Sequence, residues 1–148
     1  MTLLPLERVA ALRRAAVFSA VPDHVLAGVA RVASEVWVGA GVAVIQEGDD
    51  DDGMLIVVNG RLRVHAGDRL LRELAPGASI GELAILVPDR RSASVTAITP
   101  CLLLRLERAV FDDLMADHPE LARAMIQMLV GLVRSGPAGE RPDHVAED

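Results

Sequence analysis

The stretch IGELAILVPDRRSASV, residues 80–95, decides how the rest of the chain is read. It opens on a Gly-Glu pair, crosses a short apolar run and breaks at Pro88 and Asp89. A doubled arginine and a run of small residues follow, a pattern that fits no single helix or strand. Glycine at 81 lets a ligand approach the backbone closely, and residues 82–86 are helix-compatible up to Pro88. A short helix starting there would aim several free backbone N–H groups at one point, an arrangement that attracts anions. Arg91 can fork two donors onto a pair of phosphate oxygens, and the Ser92 hydroxyl adds another. Glu82 would repel a phosphate, so its place beside an anion site makes sense only if it accepts hydrogen bonds from a sugar hydroxyl. The constellation fits a phosphate joined to a ribose with a free 2′-OH.

On both sides of this stretch the chain reads as short strands. VWV, VAVI, MLIVV and RLRVH precede it, SVTAI and CLLLRL follow it, and glycine or proline turns separate them. Asn59 and Gly60, between MLIVV and RLRVH, form the strongest hairpin signal because both residues tolerate positive φ. Gly67 with Asp68 and Pro76 with Gly77 mark further turns. The acid run at residues 49–52 lacks the alternating ligands and closing Glu of a calcium loop, so a solvated strand-to-strand loop is expected there. Many short, turn-punctuated strands predict a mainly β domain, an antiparallel β-roll or jelly-roll barrel over residues 35–107.

Helical periodicity flanks the strands. Val9, Leu12 and Val17, then Val25, Leu26, Val29 and Val32, predict two helices within residues 1–34, with Pro22 and Asp23 suited to the start of the second. Val110, Phe111 and Leu114, then Leu121, Met125, Met128, Leu129 and Leu132, predict C-terminal helices over residues 108–134. Residues 135–148 contain too few apolar side chains to pack and are expected to be disordered.

Composition narrows the function. The 148 residues are 51% hydrophobic and 24% charged, long and apolar enough to bury a core. No run approaches the ~20 apolar residues of a membrane-spanning helix. The first residues, MTLLPLERVAALRRAAVF, show no signal-peptide core, so membrane insertion is not expected and a cytoplasmic location is. A formal charge of −6 argues against direct nucleic-acid binding, and Trp37, Phe18 and Phe111 are the only aromatics available for stacking bases. The single cysteine, Cys101, precludes an internal disulfide and reads as a small buried hydrophobe. His24, His65, His118 and His144 are scattered without partners at ligand spacing, so no metal site, cofactor or catalytic role is expected and the chain does not read as an enzyme.

GELA followed after a loop by RSASV resembles the phosphate-binding cassette of the cyclic-nucleotide-binding domain family, found in catabolite activator protein, cyclic-AMP-dependent kinase regulatory subunits and cyclic-nucleotide-gated channels. VIQEGDDDDGMLIVVNGRLRV resembles the strands preceding the cassette, and PGASIGELA its opening. The resemblance covers roughly residues 18–134. It implies that Gly81 and the backbone of Leu83 and Ala84 line the sugar-phosphate site and that Glu82 takes the ribose 2′-OH. It pairs Arg91 with the cyclic phosphate, Ser92 and the Ala93 backbone standing beside it. Arg90 competes for the arginine role, but the family spacing favours Arg91. The family often carries an aromatic where this chain has Met54 and Ile80.

The function so implied is a cyclic-nucleotide sensor that moves its C-terminal helices, with Met125, Met128, Leu129 and Leu132 as lid residues. Cyclic AMP is the expected ligand and cyclic GMP the competitor, because nothing beyond the Ser92 hydroxyl is evident to read a guanine. The alternative is a ligand-free domain of the same fold used for interaction or dimerisation. Expected partners beyond the nucleotide are a second copy of the chain or an effector on a larger protein.

Overall fold

In the computed structural model, residues 2–81, Ile85 and residues 91–139 are described. The chain begins with α1 (Pro5–Arg14), a 3-10 turn (Ala16–Phe18) and α2 (Asp23–Val32). Eight strands follow among the described residues: β1 (Ser34–Val38), β2 (Ala43–Ile45), β3 (Met54–Asn59), β4 (Leu62–Ala66), β5 (Arg69–Leu74), β6 (Ser79–Ile80), β7 (Ser94–Ala97) and β8 (Cys101–Leu106). Helices α3 (Arg108–Asp117) and α4 (Pro119–Gly139) close the order. α4 continues through residues 135–139, part of the stretch expected to be disordered, because extending an existing helix costs far less than starting one. Residues 140–148 lie outside the described residues.

The strands form two antiparallel four-stranded sheets, ordered β1-β8-β3-β6 and β2-β7-β4-β5. Together they make the expected jelly-roll-type β-roll. Among the described residues no strand pairing joins the two sheets, so the roll is not a closed barrel.

Side-chain alternation explains why some strands read as unbroken apolar runs. In β3, Met54 and Ile56 pack against the helices, whereas Leu55 and Val57 face the other sheet. In β8, Leu104 and Leu106 point to the helical side and Cys101 and Leu103 to the sheet side. The first sheet is therefore covered on both faces, and MLIVV and CLLLRL must be apolar at consecutive positions. The second sheet has one covered face. There β4 alternates, with Leu62 and Val64 inside and Arg63 and His65 turned the other way.

This layering corrects the expected hairpin at Asn59 and Gly60. β3 pairs with β6 and β8 while β4 pairs with β5 and β7, so the Asn-Gly turn carries the chain from one sheet to the other. β3 already has a ladder partner on each edge, β6 on one and β8 on the other, which leaves no edge for β4. The two-residue hairpin lies one turn later, where Ala66 opposes Arg69 across Gly67 and Asp68. Gly67 has φ +59, as a primed turn with glycine first requires.

The helices cap the first sheet. Phe18 and Phe111, each fully buried, share one core with α2, the outer residues of β3 and β8, and Leu121, Ala124 and Met125 of α4. Arg8 ties α1 to the start of the first sheet: it forms an ion pair with Glu35 at 2.9 Å and donates to the carbonyls of Ala30 and Ala33. Cys101 is buried, as its apolar surroundings predicted.

Candidate functional site

The site is assembled where the second sheet meets the end of β6. β6 pairs with β3, placing Ile80 opposite Leu55, and the chain then leaves the ladder at Gly81 with φ +87, a value that disfavours any side chain. From Ile85 an amide N–H reaches back to the Gly81 carbonyl at 3.0 Å. Glu82, Leu83 and Ala84, expected to bind sugar and phosphate, lie outside the described residues, as does Arg90.

Arg91 re-enters beside Gly81 under tight backbone control. Its N–H donates to the Asp49 carbonyl at 2.9 Å, and its own carbonyl accepts from the Gly48 N–H at 2.8 Å. The β2–β3 turn thus fixes where the Arg91 side chain starts. Ser94 strengthens the same junction, its hydroxyl accepting from the Glu47 N–H at 3.0 Å. Ala93 is buried in the core between the sheets, and Ser92, between it and Arg91, is exposed.

The guanidinium of Arg91 is turned inward. The residue is only 8% exposed and is the one buried charged residue among those described. Its Nη2 donates to the Gly53 carbonyl at 2.5 Å, and Asp51 Oδ2 stands 3.6 Å away, inside ion-pair range but beyond a hydrogen bond. Nε of Arg91 is buried and has no hydrogen-bond partner among the described residues. A buried donor left without an acceptor is costly and calls for a specific reason. Gly81 lies against the same guanidinium, so closely that a Cβ on it would meet Nη1 at 2.6 Å.

The acid run forms the expected strand-to-strand loop, with Asp49 and Asp50 exposed, but Asp51 within it is drawn into this site. Asp49 Oδ2 accepts from the Gln46 N–H at 2.9 Å, and Asp51 Oδ1 from the Gly53 N–H at 3.0 Å. Arg105, near the end of β8, grips both Asp51 oxygens at 2.7 and 3.0 Å. The Arg105 hydrogen bonds hold the Asp51 carboxyl down at about 2, with the Gly53 N–H and Arg91 adding to the effect. Sequence reading missed Asp51 and Arg105 because their partners are 54 positions apart and no local spacing joins them.

The residues expected to form a lid sit on α4, which packs against α3 and the 3-10 turn. Met125 is buried in the helical core that also includes Ile85, Met128 is partly buried against that core, and Leu129 is half-buried. Leu132 lies on the same helix, its side chain outside the described part. A shallow groove of about 350 Å³ runs between α4 and the start of α2, lined by Pro22, Glu120, Arg123 and Gln127 among others. His24 and Glu120 face each other there at 3.4 Å.

Comparison with known proteins establishes the family and the fold. The family model described as "Cyclic nucleotide-binding domain" matches residues 35–118, and the chain belongs to that family. The N-terminal domain of a transcriptional regulator from Streptomyces coelicolor A3(2) superimposes with a TM-score of 0.78 at 29% identity, covering 84% of this chain and 90% of that one. The regulatory domain of Toxoplasma gondii PKA, solved with cAMP, gives a TM-score of 0.69 at 30% identity over 74% of this chain and 44% of that one. Lysophospholipase NTE1 from Chaetomium globosum is 32% identical over 103 residues, 66% of this chain. The match spans 7% of the lysophospholipase's own length.

Proposed function

We propose that this member of the cyclic nucleotide-binding domain family binds a 3′,5′-cyclic nucleotide at Gly81 and Arg91, cyclic AMP in preference to cyclic GMP, and acts as a sensor rather than a catalyst. The observation that carries the reading is Arg91: a guanidinium buried beside a positive-φ glycine, with an Nε–H that has no acceptor among the described residues. A cyclic phosphate oxygen at Nε would supply the missing acceptor and a counter-charge together. Support for cyclic AMP comes from the T. gondii regulatory domain solved with that nucleotide. Glu82 takes the ribose 2′-OH in this reading, with the backbone of Leu83, Ala84 and Ala93 and the Ser92 hydroxyl around the phosphate. Binding is passed on through α4, whose Met125, Met128, Leu129 and Leu132 close toward the base. The output belongs to a larger protein or assembly, as the 7% coverage of the lysophospholipase illustrates for one relative.

Titration calorimetry with cyclic AMP and cyclic GMP tests the reading. The parent should bind cyclic AMP at micromolar concentration or tighter, and more tightly than cyclic GMP. Removing one partner of a buried charge pair costs roughly 2–5 kcal/mol, so Arg91→Ala should weaken binding about 30-fold or more. Glu82→Ala should erase the preference for cyclic AMP over its 2′-deoxy form. A parent that binds neither nucleotide, or an Arg91→Ala variant that binds as the parent does, overturns the assignment.

A second reading has its own observation. Ile126, Val130 and Val133 are exposed on α4 at helical spacing, a row suited to a partner helix in a ligand-free dimerisation domain. Sedimentation of the parent with and without cyclic AMP separates the two: a dimer indifferent to nucleotide, in a chain that does not bind it, favours the second.

A further inference from the structure

Asp51 stands between two arginines and serves them unequally. Arg105 takes both carboxylate oxygens in a fork, at 2.7 and 3.0 Å, whereas Arg91 approaches only to 3.6 Å. The Gly53 N–H fills a further acceptor position on Oδ1 at 3.0 Å. Arg105 is held in turn by Glu107, whose Oε2 lies 2.7 Å from its Nε. Gly53 separates the two guanidinium groups: its carbonyl receives Arg91, while a Cβ on it would sit 2.6 Å from Nη2 of Arg105. The alternating row Arg91, Asp51, Arg105, Glu107 therefore runs from the anion site to the residue immediately before α3.

An anion site needs an arginine that is positioned but not already neutralised. Asp51 is the anion nearest to Arg91 among the described ion pairs, and a carboxylate hydrogen-bonded to that guanidinium would compete with phosphate for the same donors. We infer that Arg105 is a positioning residue for the nucleotide site, holding Asp51 away from Arg91 so that the Arg91 guanidinium stays available to a phosphate. The inference rests on the nucleotide-binding reading above and adds to it a residue that touches neither sugar nor phosphate.

The test is a double-mutant cycle with two readouts. By calorimetry with cyclic AMP, Arg105→Gln should weaken binding about tenfold, because the released Asp51 closes on Arg91. Adding Asp51→Asn to Arg105→Gln should restore affinity to within about twofold of the parent. Arg105→Lys, which keeps a cation but cannot fork, should fall between; if Arg105→Gln does not fold, the cycle is read in the lysine background. The second readout needs no nucleotide: in ligand-free protein, exchange of the Arg91 guanidinium protons followed by NMR should slow in Arg105→Gln and recover in the double variant. Unchanged affinity in Arg105→Gln, a loss that Asp51→Asn does not relieve, or Arg91 protons that exchange as in the parent would each overturn the inference. If the parent binds neither cyclic AMP nor cyclic GMP, the functional reading has failed, and the NMR comparison alone decides the part played by Arg105.

Discussion

Gly81 and Arg91 touch without room for a side chain between them: a Cβ on the glycine would lie 2.6 Å from Nη1 of the arginine and 2.7 Å from the Gly53 carbonyl oxygen. Gly81 also has φ +87, which an L side chain adopts only under strain. Gly81→Ala should therefore act twice. Backbone strain should lower stability by about 1–3 kcal/mol in chemical denaturation. Displacement of the guanidinium should weaken cyclic AMP binding by about tenfold or more, about 1.4 kcal/mol, in titration calorimetry. An alanine variant that binds like the parent would show that the Arg91 position does not depend on this contact.

Gly60 provides the contrasting case, away from the site. A Cβ there would meet the Pro100 carbonyl oxygen at 2.5 Å and Cys101 Sγ at 2.6 Å, and φ is +95. Gly60→Ala should destabilise the fold by roughly 2 kcal/mol or more, through backbone strain and overpacking together. Nucleotide affinity measured well below the unfolding transition should stay within about twofold of the parent. A large affinity loss without a stability loss would contradict this division.

Acid should weaken the fold through Asp51. Its carboxyl is held at about 2 against an ordinary 3.8, chiefly by the Arg105 hydrogen bonds. A depressed carboxylate stabilises the folded state above its unfolded value, and that contribution disappears as pH falls from about 4 toward 2. With the Asp51 side chain 28% exposed, solvent screening limits the amount to about 1–2 kcal/mol. Denaturation measured across this range should show the decline, and Asp51→Asn should flatten it. An unchanged slope in the variant would place the acid sensitivity elsewhere.

Transmission through α4 should be visible in hydrogen exchange. Met125 and Met128 are flexible side chains packed in or against the helical core, able to repack when a base arrives. A ligand can shift that helix only by as much as it binds one arrangement better than the other. With saturating cyclic AMP, amides of residues 121–133 should gain protection, while the turn at Asn59 and Gly60 changes little. No change in α4 under saturation would mean that binding is not signalled through this helix.

Much of this protein was legible in one dimension because its signals are local. Period-3.6 apolar patterns marked the flanking helices, short apolar runs marked six of the strands, and glycine or proline turns marked breaks between them. The site stretch could be read because the residues expected to meet a phosphate and a ribose fall within residues 80–95, where spacing alone gathers them. β5 was not recognised as a strand: Arg69, Leu70, Arg72 and Glu73 are exposed along it, so it lacks a buried alternation. β6, with two residues, is too short to carry a period.

What the tertiary structure alone decided concerns pairing at a distance. The Asn-Gly turn has the composition of a hairpin, yet it crosses between sheets, because β3 is already flanked by β6 and β8 in a layer covered on both faces. The acid run has the composition of a solvated loop, yet Asp51 is clasped by Arg105 from β8, 54 positions along the chain. Local sequence determines which backbone conformations are cheap and which side chains seek burial. It does not specify which strand edge is already occupied, or which distant charge arrives beside a carboxylate, because both depend on how the two sheets and the helical cap stack.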